Sequence, residues 1–322
     1  MKLGVLTNLF AGMSFDEALT KFEKLGIESV EVGCGGYPGK AHCDPEVLLA
    51  DEAALAEFLD TVKRHGMDIS ALSVHGNPVH PDKAVAESFH KDFVNAVLLA
   101  EKIGVDTVVT FSGCPGGSAE DKTPNWATCA WPDDYQKILE WQWNEKLIPY
   151  WKKTGEFAKA HGVNKIAFEM HPGFCVYNPE TCLKLRAAVG DVLGANFDPS
   201  HLIWQGIDPV AAIRELKGAI YHVHAKDTKI DKYNVARNGV LDTKHYSNEL
   251  ERAWVFRTVG YGNDAMYWKD LVSNLKLCGY DGVLSIEHED SVMSIDDGLK
   301  KAVEFLTPIC IYDEKPTTMS WA

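Results

Sequence analysis

Ionisable side chains stand at the ends of five short apolar segments of this 322-residue chain. The stretch L-G-A-N-F-D-P-S-H at 193–201 shows the pattern, because its apolar run reaches Asp198 and His201 follows three residues later. Carboxylates and imidazoles presented in this way act as metal ligands or as catalytic groups. An Asp before a Pro is more often a turn or a helix cap, so the interpretation depends on the other segments.

The other four segments also end in ionisable residues. They supply His75, Glu169 with His171, His222 with His224, and Glu287 with Glu289. In a parallel barrel these ends converge on one mouth. Three carboxylates and one imidazole suit a divalent Mn, Mg, Co or Zn ion that keeps positions open for a substrate. Without a cation, converging carboxylates would repel one another and tend to hold protons.

The elements that carry these residues alternate strictly along the chain. The sequence predicts strands at 3–7, 29–33, 68–74, 106–111, 164–169, 193–198, 219–224 and 282–287, and helices at 14–25, 51–65, 83–103, 132–161, 178–189, 208–217, 264–278 and 294–306. We expect Pro149 to bend or break the long fourth helix. Eight strand–helix units with right-handed crossovers predict a closed (β/α)8 TIM barrel.

Two long connections interrupt the alternation, at 114–133 and 226–263. Connections of this length are lids, binding loops or disordered segments. Trp126 and Trp131 in the first connection are candidates to contact a sugar or an oligomer interface, and a packed surface loop is the alternative. We predict a single barrel domain over 1–308 and a C-terminal extension or oligomer arm over 309–322.

Composition narrows the class of protein. A formal net charge of -14 argues against a nucleic-acid binder and favours a small neutral or cationic ligand. No segment reaches the roughly 20 apolar residues that a membrane helix requires. Eight irregularly spaced cysteines without a C-x-x-C pair predict free thiols, and hence a cytoplasmic protein.

Four motifs occur in a characteristic order: I-A-F-E-M-H-P, N-F-D-P-S-H, H-V-H-A-K-D and G-Y-D-G-V-L-S-I-E-H-E-D. Together they resemble the sugar phosphate isomerase/epimerase family of xylose-isomerase-like barrels, which includes ketose 3-epimerases, inosose dehydratases, lyases and type IV apurinic endonucleases. The resemblance covers the chain from residue 1 to about Leu306.

The resemblance implies roles for particular residues. It implies that the second His of H-x-H binds the metal, although His222 faces the same side of its strand and remains possible. It implies that Glu169 and Glu287 act as acid and base, and that His201 contacts substrate. The implied metal ligands are Glu169, Asp198, His224 and Glu287.

The implied activity is a sugar isomerase or epimerase that depends on a divalent metal, with manganese first among the ions. A carbonyl held by the metal acidifies the neighbouring C–H, and proton transfer by the glutamates gives an epimer or an isomer. Elimination from the same enediolate gives a lyase or dehydratase acting on keto-sugars or 3-keto-glycosides, with or without a partner subunit. An apurinic endonuclease and a metal-free binding module are the remaining alternatives.

Further polar residues are candidates for substrate contacts, and each could instead make structural hydrogen bonds. They are His75, His171, His201, His222, Lys226 and Arg257. No phosphate-binding motif is evident and arginines are few, so a neutral sugar or keto-sugar is the expected substrate. The expected partners include no nucleic acid and no membrane, and the sequence is compatible with a homo-oligomer.

Overall fold

The computed structural model describes residues 1–314 of the chain. Within that range the chain forms ten strands and twelve α-helices. The strands are β1 (Lys2–Leu6), β2 (Ser29–Gly33), β3 (Asp68–Ser73), β4 (Thr107–Thr110), β5 (Lys165–Glu169), β6 (Leu193–Phe197), β7 (Ile220–Ala225), β8 (Asp227–Ile230), β9 (Trp254–Arg257) and β10 (Val283–Ile286). The helices are α1 (Phe15–Lys24), α2 (Pro45–Ala50), α3 (Glu52–Arg64), α4 (Lys83–Ile103), α5 (Asp134–Trp141), α6 (Ile148–Ala160), α7 (Pro179–Val189), α8 (Pro199–Trp204), α9 (Pro209–Glu215), α10 (Lys232–Asn238), α11 (Ala265–Leu277) and α12 (Ile295–Leu306).

Eight of these strands close into a parallel barrel in the order β1, β2, β3, β4, β5, β6, β7, β10 and back to β1. Gly4 illustrates the closure, because it lies opposite Ser29 on one side and Ser285 on the other. Helices connect the successive strands, and their apolar faces pack against the barrel in one large core. The predicted TIM barrel is confirmed. Within residues 1–314, every helix is too short or too polar to span a lipid bilayer.

Local sequence signals explain where several helices begin and end. Ser14 and Glu17 form a capping box at the start of α1. Asp82 caps α4, and Gly104 ends it with a φ of 76°, a left-handed conformation that favours glycine. These residues set where α1 begins and where α4 begins and ends.

Some predicted elements differ from the structure. The helix expected at 51–65 is α3, and α2 precedes it because Asp44 caps a separate short helix with Pro45 in its first turn. The helix expected at 132–161 comprises α5, a π-helical turn at Gln142–Leu147 and α6, with Pro149 in the first turn of α6. The three segments are contiguous, and Pro149, which lacks an amide donor, lies just after the π-helical turn where the regular α-helical pattern is interrupted.

The connection at 226–263 is not the plain polar loop that the sequence suggests. Strands β8 and β9 pair antiparallel within it, and α10 lies between them. A small apolar cluster holds this insertion against α8, where the rings of Trp204 and Trp254 stack at 4.6 Å. Four-residue strands carry too short an alternating pattern to be recognised from sequence.

Asp227 fixes the end of this insertion to the barrel. It is fully buried and accepts hydrogen bonds at Oδ2 from the backbone amides of Gly260, Gly262 and Asn263 and from the indole of Trp268. A single carboxylate therefore satisfies several buried donors. The Asp of the H-V-H-A-K-D motif is accordingly structural in this chain.

Replacing Asp227 with Ala is expected to lower the free energy of unfolding by about 3–5 kcal/mol, because several buried donors would lose their acceptor. Asp231 provides a matched control, since it caps only α10 and its replacement by Ala should cost about 1 kcal/mol. Urea denaturation measures both values. Equal losses for the two variants would contradict a special role for Asp227.

Candidate metal centre

Four side chains converge at the mouth of the barrel, and each comes from a different strand end. Glu169 ends β5, Asp198 follows β6, His224 lies in β7 and Glu287 follows β10. One ligand atom from each lies within 4.8 Å of the others. Parallel strands place their carboxyl ends at one rim, which is why residues so far apart in sequence meet. We call these four residues the quartet.

Asp198 serves two purposes. Its Oδ1 accepts a hydrogen bond from the backbone amide of Ser200 at 2.8 Å and so caps α8. Its Oδ2 faces the quartet and is buried. The hydrogen bond at Oδ1 fixes the carboxylate, so Oδ2 points towards the other three side chains of the quartet without needing a further hydrogen bond.

The donor set fits a divalent ion. Among the described residues, Oδ2 of Asp198 and Nδ1 of His224 are buried polar atoms that make no hydrogen bond. Lys226 Nζ lies 3.0 Å from Asp198 Oδ2 without hydrogen-bonding geometry, so a divalent cation between the two atoms would give both of them a partner. Three carboxylates and one imidazole match the mixed oxygen and nitrogen ligands of Mn, Co or Zn.

Imidazoles surround Glu169. The Nε2 atoms of His75 and His201 lie 2.9 and 2.8 Å from its two carboxylate oxygens. Burial alone would raise the pKa of Glu169, but the contacts with the imidazoles hold it well below the usual range. Glu169 is therefore ionised at neutral pH.

Lys226 places a buried ammonium beside the quartet. Its Nζ lies 3.0 Å from Asp198 Oδ2, 2.7 Å from Glu287 Oε2 and 3.1 Å from Glu289 Oε2. Burial would lower the pKa of Lys226, but the three carboxylates raise it well above the usual range. Burial would likewise raise the pKa of Glu287, and Lys226 and His224 lower it instead.

A small cavity of about 150 Å³ opens above the quartet. Phe111, Tyr37 and Pro38 form an apolar side, while Lys226 and Glu289 form a polar one. The volume suits a small molecule rather than a polymer.

The structure brings most of the sequence-predicted contact residues to this cavity. His75, His171 and Lys226 line it, and His201 lies beneath it against Glu169. Burial, followed by the neighbouring His201, lowers the pKa of His171 to about 3, so this ring is neutral.

Two other predicted residues lie elsewhere. His222 sits one level deeper in the barrel, with its ring nitrogens 3.3 Å from Ser70 Oγ and 3.2 Å from Asn196 Oδ1. Arg257 does not line the cavity, and it donates to Asp290 at 3.0 Å.

Glu31 was missed by the sequence analysis. It lies in the middle of β2, is fully buried, and accepts a hydrogen bond from His224 Nε2 at 2.9 Å. The signal in the sequence is a charged residue between Val30 and Val32 in an otherwise apolar strand. A buried carboxylate requires partners, and that requirement points to the barrel interior.

The first long connection forms a separate cavity of about 550 Å³ with α5, the π-helical turn, α7 and the segment before α7. Trp126 lines this cavity, and Trp131 is 77% exposed. The cavity shares no lining residue with the one above the quartet. Neither a sugar contact nor an oligomer contact of the two tryptophans follows from this placement.

Residues 19–309 match the Xylose isomerase-like TIM barrel family model. The chain belongs to this family. The predicted resemblance to xylose-isomerase-like barrels is therefore confirmed.

Relatives in sequence span nearly the whole chain. The protein YfiH of Bacillus subtilis strain 168 is 41% identical over 95% of this chain and 98% of its own length. An inosose dehydratase of Mesomycoplasma hyopneumoniae strain J is 24% identical over 94% of this chain and 90% of its own. Family members therefore include at least one dehydratase.

Solved structures share the fold. The IolI protein with a bound zinc atom has a TM-score of 0.66 and 19% identity, covering 96% of this chain and 98% of its own. A D-tagatose 3-epimerase-like protein has a TM-score of 0.64 and 20% identity, with the same coverage of 96% and 98%. Barrels of this shape thus occur among proteins named as epimerases and among proteins that bind a metal.

Proposed function

We propose that this protein is an enzyme that depends on a divalent metal and transfers a proton beside the carbonyl of a small keto-sugar, as an isomerase or epimerase. One observation carries the proposal: carboxylate oxygens of Glu169 and Glu287 lie 3.4 and 3.1 Å from the unpaired Nδ1 of His224. Two ionised carboxylates thus flank one point at the floor of a small cavity. The ketose epimerase-like and inosose dehydratase relatives support the same chemistry.

The quartet residues would hold the ion, and the ion would polarise a substrate carbonyl and acidify the adjacent C–H. Manganese, cobalt, zinc and magnesium all remain compatible with these ligands. The zinc atom in the IolI structure supports a divalent ion in a barrel of this shape. Manganese stays our first expectation.

The two glutamates would move the proton. Each has a lowered pKa, so each is a carboxylate at neutral pH and can accept a proton from carbon. His75 and His201 orient Glu169, and Lys226 orients Glu287. Return of the proton to the opposite face gives an epimer, and return to the neighbouring carbon gives an isomer.

The charges around the cavity favour a neutral substrate. Glu169, Glu287 and Glu289 contribute three negative charges to its lining, and Lys226 contributes one positive charge. Arginine, which recognises phosphate and carboxylate groups bidentately, does not occur among the described lining residues. A polyhydroxylated ketone without an anionic group is the substrate class that we propose.

A lyase or dehydratase is the second candidate, and Lys226 favours it. Its ammonium lies 2.7 Å from Glu287 Oε2 and lines the cavity. Elimination requires a proton donor for the departing hydroxyl as well as a base for the C–H. A cation placed beside one of the bases meets that requirement, and the inosose dehydratase relative supports it.

The test is solvent exchange. The protein loaded with Mn²⁺ is incubated with neutral ketohexoses and inososes in deuterated water, and proton NMR follows the C–H beside the carbonyl. We expect exchange with at least one ketose, followed by an epimer, an aldose or an unsaturated ketone, and no exchange after chelation. Metal-loaded protein that exchanges none of these C–H groups would contradict the proposed reaction.

Other expectations remain predictions of the sequence. They are a cytoplasmic location, a homo-oligomer, no nucleic-acid partner and a domain boundary at residue 308. Residues 315–322 of the predicted extension lie outside the described range. The net charge of -14 remains the argument against an apurinic endonuclease.

A further inference from the structure

Glu31 touches the quartet from below without belonging to it. Its Oε1 and Oε2 lie 3.1 and 2.9 Å from His224 Nε2, and its Oε2 also accepts a hydrogen bond from Ser285 at 2.8 Å. All three side chains are fully buried. Glu31 and His224 are therefore shielded from water, which makes the hydrogen bond between them stronger than a hydrogen bond at the protein surface.

The backbone is irregular where Glu31 enters the barrel. The register between β2 and β3 shifts between Val30 and Glu31. Irregularities of this kind change the direction of a side chain and interrupt the regular hydrogen bonding between the two strands. The barrel thus departs from regular pairing at the residue that reaches His224.

We propose that Glu31 is the positioning residue of the metal centre, which holds the proton of His224 on Nε2 and so presents the lone pair of Nδ1 to the ion. An imidazole offers two nitrogens, and a carboxylate that binds one of them leaves the other as the metal ligand. The Nδ1 atom is the nitrogen that faces Glu169 and Glu287. This inference rests on the metal site of the proposed function.

Glu31, His222 and His224 form a second buried group of side chains that can bind a metal. The geometry is less favourable for it. His222 Nδ1 lies 3.8 Å from Glu31, whereas its ring nitrogens are 3.3 and 3.2 Å from Ser70 and Asn196. The number of ions bound distinguishes the two arrangements.

The test compares Co²⁺ binding by the wild-type protein with binding by Glu31→Leu and Glu31→Gln, followed by visible absorption in competition with a chelator. We expect Glu31→Leu to bind Co²⁺ about 10–100-fold more weakly, because His224 loses its second hydrogen bond. Glu31→Gln keeps an acceptor for Nε2–H and should recover most of the affinity. The Co²⁺ absorption band should change shape in Glu31→Leu and stay unchanged in Glu31→Gln.

Ser70→Ala is the control, because Ser70 lies in the same barrel interior and does not contact His224. It should leave Co²⁺ affinity within about twofold of wild type, since the hydrogen bonds lost are those to the Val30 carbonyl and to His222, and neither reaches the quartet.

Should Glu31→Leu fail to fold, Glu31→Asp replaces it. That variant keeps the charge but draws it back by one methylene, and it should bind Co²⁺ at least fivefold more weakly.

Three outcomes would overturn the inference. They are equal Co²⁺ affinity in Glu31→Leu and wild type, an unchanged absorption band with only a lower melting temperature, and two ions per chain of which one disappears with Glu31. Failure of the proposed function looks different. In that case the wild type binds one ion and shows the Glu31 effect but catalyses no C–H exchange.

Discussion

Replacing the glutamate that removes the substrate's proton, Glu169 or Glu287, with Gln is expected to slow exchange of the substrate C–H with solvent by about 10²–10⁴-fold, because an amide cannot accept the proton that a carboxylate accepts. Glutamine has nearly the same shape, so the cavity is preserved. Both residues are also proposed ligands, so each variant must first be saturated with metal. Proton NMR in deuterated water then measures the rate of exchange.

The two variants also distinguish the possible reactions. If one glutamate removes the proton and the other returns it on the opposite face, one variant will still exchange a proton with one epimer but form no product. If a single glutamate does both, the other variant will keep most of its product formation. Metal-saturated variants that both exchange at the wild-type rate would contradict the proposed roles.

Glu289→Gln is the matched control for these experiments. Glu289 lines the same cavity and contacts Lys226 at 3.1 Å, but it is not part of the quartet. Loss of the Glu289 charge changes the electrostatic potential in the cavity but leaves both proposed bases, Glu169 and Glu287, in place. We expect less than about a tenfold change in exchange rate, as is usual when an interaction outside the proton transfer is removed.

Replacing Lys226 with Met is expected to lower the free energy of unfolding of the metal-free protein by about 3–5 kcal/mol, because buried carboxylates would lose their cation. Its side chain is 2% exposed, and the contacted atoms of Asp198 and Glu287 belong to the quartet. The same change should strengthen binding of a divalent ion, because the ammonium no longer competes for these oxygens. The variant should therefore recover stability when metal is added.

Urea denaturation in the presence of EDTA and then of Mn²⁺ measures this effect. Lys229→Met provides the control, because the ammonium of Lys229 makes a single hydrogen bond within the described part of the chain, to the Gly262 carbonyl at 3.4 Å. We expect the control to stay within about 0.5 kcal/mol of wild type under both conditions, as is usual for surface changes. A Lys226→Met protein that is as stable as wild type in EDTA would contradict the role assigned to the ammonium.

The convergence of the quartet side chains can be predicted from the sequence where strands end abruptly. Asp198 and Glu287 each follow an apolar segment, and the barrel topology alone then brings them together. The two interpretations of Asp198, helix cap and ligand, prove compatible, because a carboxylate has two oxygens. One caps α8 and the other faces the quartet.

Other features could not be predicted because they depend on side-chain direction across the barrel. Glu31 is mid-strand, and only the closed topology shows that it meets His224 from the far side. The sequence predicts that Arg257 contacts the substrate at the mouth of the barrel. In the structure Arg257 lies in β9, and its side chain donates to Asp290. The short strands β8 and β9 become visible only through their mutual pairing.

Metal stoichiometry in the wild type and in Asp198→Asn tests the central claim most directly. Asn keeps an oxygen that can cap α8 but removes the charge that faces the quartet. Asp208→Asn is the control, because Asp208 also precedes a proline and caps a helix, α9. Each protein is stripped with EDTA, dialysed against Mn²⁺ or Co²⁺ and analysed for metal.

We expect one ion per chain in the wild type and in Asp208→Asn, and a loss of most of it in Asp198→Asn. That result would establish that the four strand ends form one metal site. A wild-type protein that retains no divalent ion, or an Asp198→Asn protein that retains a full equivalent, would contradict the quartet as the metal centre.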